Sequence, residues 1–363
     1  MQKFQVEDQK LVAFPRFNHY NIAIRYIIEQ GIGARYLMLP EATRETVELG
    51  SKYSPDYACA PFKHTLGTLL EALNAGADVV MEVGGLCRLD CYGALQKEIL
   101  DDLGYQCEFV DLAVYMAGKK KDWLKLAKML SPGQKLNMPR LMNGVIDGFK
   151  MAEYLDDTEA YYHKNACYER EAGSYRKAHQ KFLRDMMHAE SHSEIKQGYL
   201  EVMHTMEAIP KKEGYHPVRI GIVGEYFTAM DPHSNLHLED KLMALGCSVE
   251  RFLNVTNCHI RTKEVSLRPK IQEYVDNNMG ANTTWTLNAA LGYAKQGFDG
   301  IIHVKSFGCT PETDAVPVLQ NISQDYHIPV LYLSYDTQTS DTGLDTRLEA
   351  FCDMLERKRK VLR

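Results

Sequence analysis

The chain has 363 residues, 45% of them apolar and 25% charged, with a formal net charge of −6. That is enough for roughly two to three domains at ~150 residues each, with the apolar share of a protein that buries a core. Lys and Arg are scattered rather than gathered into the basic stripe that nucleic-acid binding needs, and no apolar run reaches the ~20 residues of a membrane span. The opening "MQKFQVEDQK" has no apolar secretory stretch, so a cytoplasmic protein with no nucleic-acid or membrane partner is expected.

The first third alternates strand and helix signals. "KLVAF" (10–14) predicts a strand, "YNIAIRYIIEQGIG" (20–33) a helix ending in glycines, and "ARYLML" (34–39) a strand. "PFKHTLGTLLEALNAGA" (61–77) puts Leu66, Leu69, Leu70 and Leu73 on one helical face. "DVVMEV" (78–83) and "CEFVDL" (107–112) predict strands on either side of a helix, "YGALQKEILDDLG" (92–104). From about 119 to 214 strand signals vanish, and stretches such as "SEIKQGYLEVMHTMEAI" predict amphipathic helix, closing in the linker "PKKEGYHP". Alternation then resumes: strands at 218–227, 248–255, "FDGIIHVKSF" and 328–336, with helices at 238–246, "NAALGYAKQG", "PETDAVPVLQNISQDY" and "LDTRLEAFCDMLERK". The pattern predicts an α/β fold. It comprises two Rossmann-like, doubly wound, mostly parallel domains facing a cleft: an N-terminal α/β domain at 1–118, a helical insert at 119–214 and a C-terminal α/β domain at 215–363.

Nine cysteines are many for a reducing compartment, where structural disulfides are rare. Cys107 and Cys247 each follow a helix-ending glycine and open a strand, and Cys352 lies on the apolar face of the last helix; all three read as small buried hydrophobes. Cys167 and Cys258 read the same way. Three others share a different setting. Cys59, in "YACAPFKHTL", and Cys309, in "FGCTPETDAV", each stand two residues before a helix-opening proline, and Cys87 follows a strand and two glycines in "VVMEVGGLCRLDCYGALQ". A sulfur near a helix N-terminus is expected to ionise readily. In open α/β sheets, ligands bind at the carboxyl ends of strands. Soft thiolates select zinc, Cu(I) or iron–sulfur clusters. The chain has no CxxC, so a zinc ribbon is excluded. Lys63, His64 and Arg88, cations near two of these corners, fit an anionic centre or solvated side chains equally well. Glu312 is accounted for by the helix dipole alone. The histidine pairs His188/His192 and His233/His237 read as surface groups.

Phosphate-binding GxxxxGK[ST], dinucleotide-binding GxGxxG after a strand, HExxH and GxSxG are all absent. If the chemistry consumes ATP, another chain binds it.

With "LGSKYSPDYACAPFKHTLGTLLEALNAGAD", "GGLCRLDCYGALQKEILDDLGY", "RIGIVGEYF", "GYAKQGFDGIIHVKSFGCTPE" and "TGLDTRLEAF", the chain resembles, over essentially its whole length, a family of small proteins. They are known as CoA-substrate-specific enzyme activase or acyl-CoA dehydratase activase-related proteins. These are relatives of 2-hydroxyacyl-CoA dehydratase, benzoyl-CoA reductase and double-cubane cluster proteins. The resemblance implies a two-lobed α/β fold with an iron–sulfur cluster, [4Fe-4S] or double cubane, on cysteines at these three corners. Cys59, Cys87 and Cys309 fall on the matching motifs and are carried over as ligands; Cys91 falls where relatives usually have an aromatic residue and is not. It also implies an ATP-hydrolysing iron–sulfur activator as electron donor, a homodimer or a related subunit as partner, and a small-molecule or acyl-CoA substrate.

The chain departs from the family pattern in three places. It lacks the acidic residue that usually follows Asp336, it has Ser340-Asp341 in place of the common Gly-Glu, and "GGLCR" is shorter than the usual glycine–proline loop. Substrate identity is left open by these differences. The reading that follows is an iron–sulfur dehydratase or reductase-like component acting at an open iron. A non-catalytic electron carrier is the alternative, and a zinc protein a third.

Overall fold

The computed structural model describes residues 9–83, 92–112, 120–133, 135–277, 279–280 and 282–362. The chain forms two compact units. The first takes residues to Ala58, Phe62–Ala152 and Met186–Ile195; the second takes Cys59–Pro61, Glu153–Asp185 and Lys196–Arg363. Each holds one four-stranded, all-parallel sheet, as the alternating strand and helix signals predict.

In the first unit, β1 (Leu11–Ala13), β2 (Arg35–Tyr36), β3 (Val79–Glu82) and β4 (Glu108–Asp111) lie in the order β2-β1-β3-β4. Val12 faces Tyr36 on one side and Val79 on the other. Val12, Val79, Met81 and Val110 share a core with Leu126 and Leu130. Helices α1 (Tyr20–Tyr26), α3 (Ala60–Asn74) and α4 (Tyr92–Asp102) fall on predicted segments. Helix α2 (Arg44–Tyr53) lies outside the segments predicted from the sequence. It is set by a reciprocal cap, in which Thr43 and Thr46 satisfy each other's backbone N–H. Gly50 and Gly67 then let its backbone touch α3, since a Cβ on Gly50 would lie 1.8 Å from the Lys63 carbonyl oxygen. Between β4 and β5 the described segments are helical: α5 (Lys120–Leu130), α6 (Met138–Asn165), α7 (Ser174–His188) and α8 (His192–Glu207).

The second unit repeats the winding. Strands β5 (Arg219–Gly224), β6 (Ser248–Arg251), β7 (Gly300–Ser306) and β8 (Val330–Tyr335) lie in the order β6-β5-β7-β8. The register pairs Ile222 with Ile302 and Val304 with Leu333. β5 and β7 are buried almost throughout and mostly apolar because both their faces are covered. Helices α9 (Tyr226–Met230), α10 (Leu238–Ala244), α11 (Thr283–Lys295), α12 (Thr310–Asp325) and α13 (Asp341–Leu362) complete the unit. Val223, Leu287, Ala290, Ile301, Ala315 and Leu319 form its core. From α6, Glu159 pairs with Arg251 at 2.7 Å, and Arg251 also pairs with Glu239 at 2.9 Å, all three side chains buried. Among the described residues no helix is long and apolar enough to cross a membrane.

Candidate functional site

In the order β6-β5-β7-β8 the direction of winding reverses between β5 and β7. The crevice at the carboxyl ends of those two strands is where a doubly wound sheet binds its ligand. Two short stretches meet at that point: Gly224-Glu225 at the end of β5, and Ser306 to Cys309 at the end of β7.

Gly224 is required by the close approach of the two strands. Its φ is +139°, and a Cβ there would sit 1.8 Å from the Val304 carbonyl oxygen. Glu225 follows, its N–H donating to that same oxygen at 2.8 Å. The Glu225 carboxylate turns back as the N-cap of α9, accepting from the Phe227 and Thr228 backbone N–H groups at 2.8 Å each. Burial pushes this carboxyl above its ordinary value. The capping bonds pull it down, and the charge of Glu312 adds to the upward push.

Cys309 is the N-cap of α12, with extended backbone (φ −75°, ψ 100°). Its N–H donates to the Ser306 carbonyl at 3.0 Å, and its own carbonyl accepts from the Thr313 N–H at 3.1 Å and the Thr313 hydroxyl at 2.8 Å. The Ser306 hydroxyl, fully buried, accepts from the Ala60 N–H at 3.1 Å. Cys59, Ala60 and Pro61 belong to the second unit, as does Cys309, and within that unit this bond joins the residue after Cys59 to the turn before α12. Both thiols are half-buried.

Ready ionisation of Cys309, expected from its place at a helix start, is not what the surroundings favour. Burial pushes the thiol up strongly, the carboxylates of Glu225 and Glu312 push it further, and Cys59 is close enough to add to the effect. The nearby Glu312 backbone N–H offsets this only in part. The desolvation of the corner and two carboxylates outweigh the dipole.

Glu312 itself is a group the sequence reading set aside. It is 1% exposed, one carboxylate oxygen 2.9 Å from His303 Nε2 and the other accepting from the Thr286 hydroxyl at 3.0 Å. The network joins β7, α11 and the first turn of α12 beneath Cys309. Its signal in the sequence is a histidine inside the apolar strand "GIIHVKS", because a buried polar side chain requires a partner. At the matching place in the first unit, the end of β3, stands buried Glu82, whose carboxyl is pushed well above the ordinary value by burial and then by the charge of Asp111. Cys87 and Cys91 come next in the chain and lie outside the described residues.

The remaining cysteines divide by burial. Burial raises the Cys167 thiol to about 11 and the Cys258 thiol to about 12, and both are enclosed in packing. Cys247 and Cys352 are buried, and Cys107 is half-buried with its thiol raised. His188, His192 and His237 are exposed and His233 partly so. His64 is buried instead of solvated, while Lys63 is half-buried.

Two soft sulfurs at adjacent corners suit a thiophilic centre. Among the described residues no set of three or more His, Cys, Asp or Glu is gathered for a metal ion, and Cys87 falls outside them.

The chain matches no curated protein. Residues 238–355, which include β6, β7, β8, Cys309 and the His303–Glu312 pair, match the family described as 2-hydroxyglutaryl-CoA dehydratase, D-component. That stretch, about a third of the chain, is similar to this dehydratase family.

Proposed function

We propose that the chain is a 2-hydroxyacyl-CoA dehydratase-type component that carries an iron–sulfur cluster on Cys59, Cys87 and Cys309. A [4Fe-4S] or double-cubane cluster suits these ligands, with low-potential electrons supplied by an ATP-hydrolysing activator. One observation carries this reading: Cys59 and Cys309, far apart in sequence, are joined at the switch point of the second sheet through the Ala60–Ser306 hydrogen bond. The family match over 238–355 covers Cys309 and supports the same reading.

Such a cluster, when bound, would supply one-electron chemistry and an open Lewis-acidic iron for a substrate oxygen. The chain's own residues do the rest. Ser306 sets the spacing of the two sulfur-bearing turns. His303 and Thr286 hold Glu312, and with it the first turn of α12, so that Cys309 is presented from a fixed corner. Glu225 spends its oxygens on the N–H groups of α9, which leaves sulfur as the donor at this edge.

The test is turnover. Protein purified without oxygen is mixed with a low-potential reductant, ATP, an activator of this family and a 2-hydroxyacyl-CoA. Formation of the corresponding enoyl-CoA, detected by mass spectrometry and dependent on every component, is the expected result. Reduction of the protein without any product across a panel of acyl-CoA substrates would exclude the dehydratase role and leave an electron carrier.

A further inference from the structure

Outside the candidate site, two sulfurs lie in contact. Cys247 stands immediately before β6, after Gly246 in a left-handed turn (φ +81°), and Cys352 lies on the inward face of α13. Their Sγ atoms are 3.5 Å apart, with the two residues 1% and 6% exposed. The contact is a hydrogen bond between thiols, about 1.5 Å longer than an S–S bond. A small side-chain rotation spans that difference. The helix face around Cys352 is anchored by buried Leu348, Phe351 and Leu355, so the two sulfurs are held as neighbours.

We propose that Cys247 and Cys352 are an oxidisable dithiol that closes to a disulfide on reaction with a small peroxide, hydrogen peroxide being the probe. In the first step one sulfur attacks a peroxide oxygen, the O–O bond breaks, one water leaves, and a sulfenic acid remains. In the second, the other sulfur attacks the sulfenic sulfur, an S–S bond forms and a second water leaves. Two thiols give up two electrons and two protons, and one peroxide becomes two waters. Cys352 is the better first nucleophile, because the shared hydrogen bond lowers its thiol while the same bond and burial raise that of Cys247. The closed bond would join residues 105 apart in sequence, tying the start of β6 to the final helix. Burial restricts the reaction to oxidants small enough to reach the pair. Cys167 is close enough for its charge to act on Cys247 and is the competing partner.

The experiment treats the purified full chain with graded hydrogen peroxide, alkylates the remaining thiols in denaturant and maps peptides without reduction. The expected product is one linked peptide pair containing Cys247 and Cys352, two hydrogens lighter than its parts and released by dithiothreitol. It is absent from Cys352→Ser and Cys247→Ser, and the oxidised wild-type chain melts at a higher temperature than the reduced one. The inference is overturned if both thiols alkylate fully after a dose that oxidises Cys59 and Cys309. A bond from Cys247 to Cys167 instead, or a 247–352 bond formed only in urea, overturns it as well. Should the serine variants fail to fold, the wild-type peptide map alone decides.

Discussion

His303 and Glu312 hold each other in the interior of the second unit, imidazole Nε2 to carboxylate Oε2 at 2.9 Å, with each side chain 1% exposed. Nine residues apart, one in strand β7 and one in the first turn of α12, they fix how the strand gives way to the helix at Cys309. Removing the carboxylate takes the Nε2 partner from buried His303, while the Thr286 hydroxyl keeps the Gly224 carbonyl oxygen at 3.1 Å. Each buried polar group left unpaired costs about 1–3 kcal/mol. Glu312→Ala is therefore expected to lose about 1–3 kcal/mol in urea denaturation of the metal-free protein. Glu312→Gln, which keeps an oxygen and an N–H in place, should lose less than half as much. Equal losses in the two variants would show that the carboxylate's bonds do not organise this turn.

Ser306 is the bridge between the two sulfur-bearing turns. Ser306→Ala leaves the Ala60 N–H without an acceptor inside the protein. A loss of about 1–3 kcal/mol in stability is expected, together with a fall in bound iron although no sulfur has been removed. Anaerobic iron analysis beside a thiol titration checks this. Unchanged iron content would mean that the spacing of Cys59 and Cys309 does not depend on Ser306.

Gly224→Ala has no room. The new methyl carbon would fall 1.8 Å from the Val304 carbonyl, at a φ of +139° that side chains avoid. β5 and β7 must part for it, and a loss above about 3 kcal/mol is expected. Far-ultraviolet circular dichroism through a urea series measures it; a wild-type midpoint would contradict the close approach of these strands.

Glu82 gives a pH dependence of definite sign. Burial and then Asp111 raise its carboxyl well above the ordinary 4.5. The folded chain keeps a proton that the unfolded chain has lost, so this contribution is fully present below the ordinary carboxylate value. It declines as pH rises from there toward the folded value. Glu82→Gln should remove the decline and gain at least about 1.4 kcal/mol at pH 8, the worth of a tenfold change in proton affinity, with no gain at pH 4. Thermal unfolding of both proteins at the two pH values tests it. Parallel pH profiles would show that Glu82 ionises freely in the folded protein.

The two parallel sheets were legible in the sequence because buried strands such as "GIIHVKS" and "RIGIVG" are mostly apolar runs flanked by helical periodicity and glycines. Helix α2 was not, since its position rests on a threonine cap and a glycine–glycine crossing with α3, neither of which has an apolar period. At the site, the C-x-P corners marked Cys59 and Cys309. Their joining through Ser306 could not be read, because it depends on residues 246 apart in sequence. Glu312 is hard to read for a related reason: a carboxylate in the first turn of a helix suits the dipole whether it faces solvent or, as here, a histidine on the preceding strand. The Cys247–Cys352 contact likewise joins a strand start to a helix face that only the fold brings together.

The central claim is that Cys59, Cys87 and Cys309 hold one iron–sulfur centre. Its most direct test is iron and acid-labile sulfide analysis of the wild-type chain and of Cys59→Ser, Cys87→Ser and Cys309→Ser, all purified without oxygen. The wild-type chain should contain at least about four irons and four sulfides per cluster-bearing unit, and each serine variant should lose most of both while keeping a wild-type circular dichroism spectrum. Full iron and sulfide in all three variants, or stoichiometric zinc in a colourless wild-type protein, would contradict it.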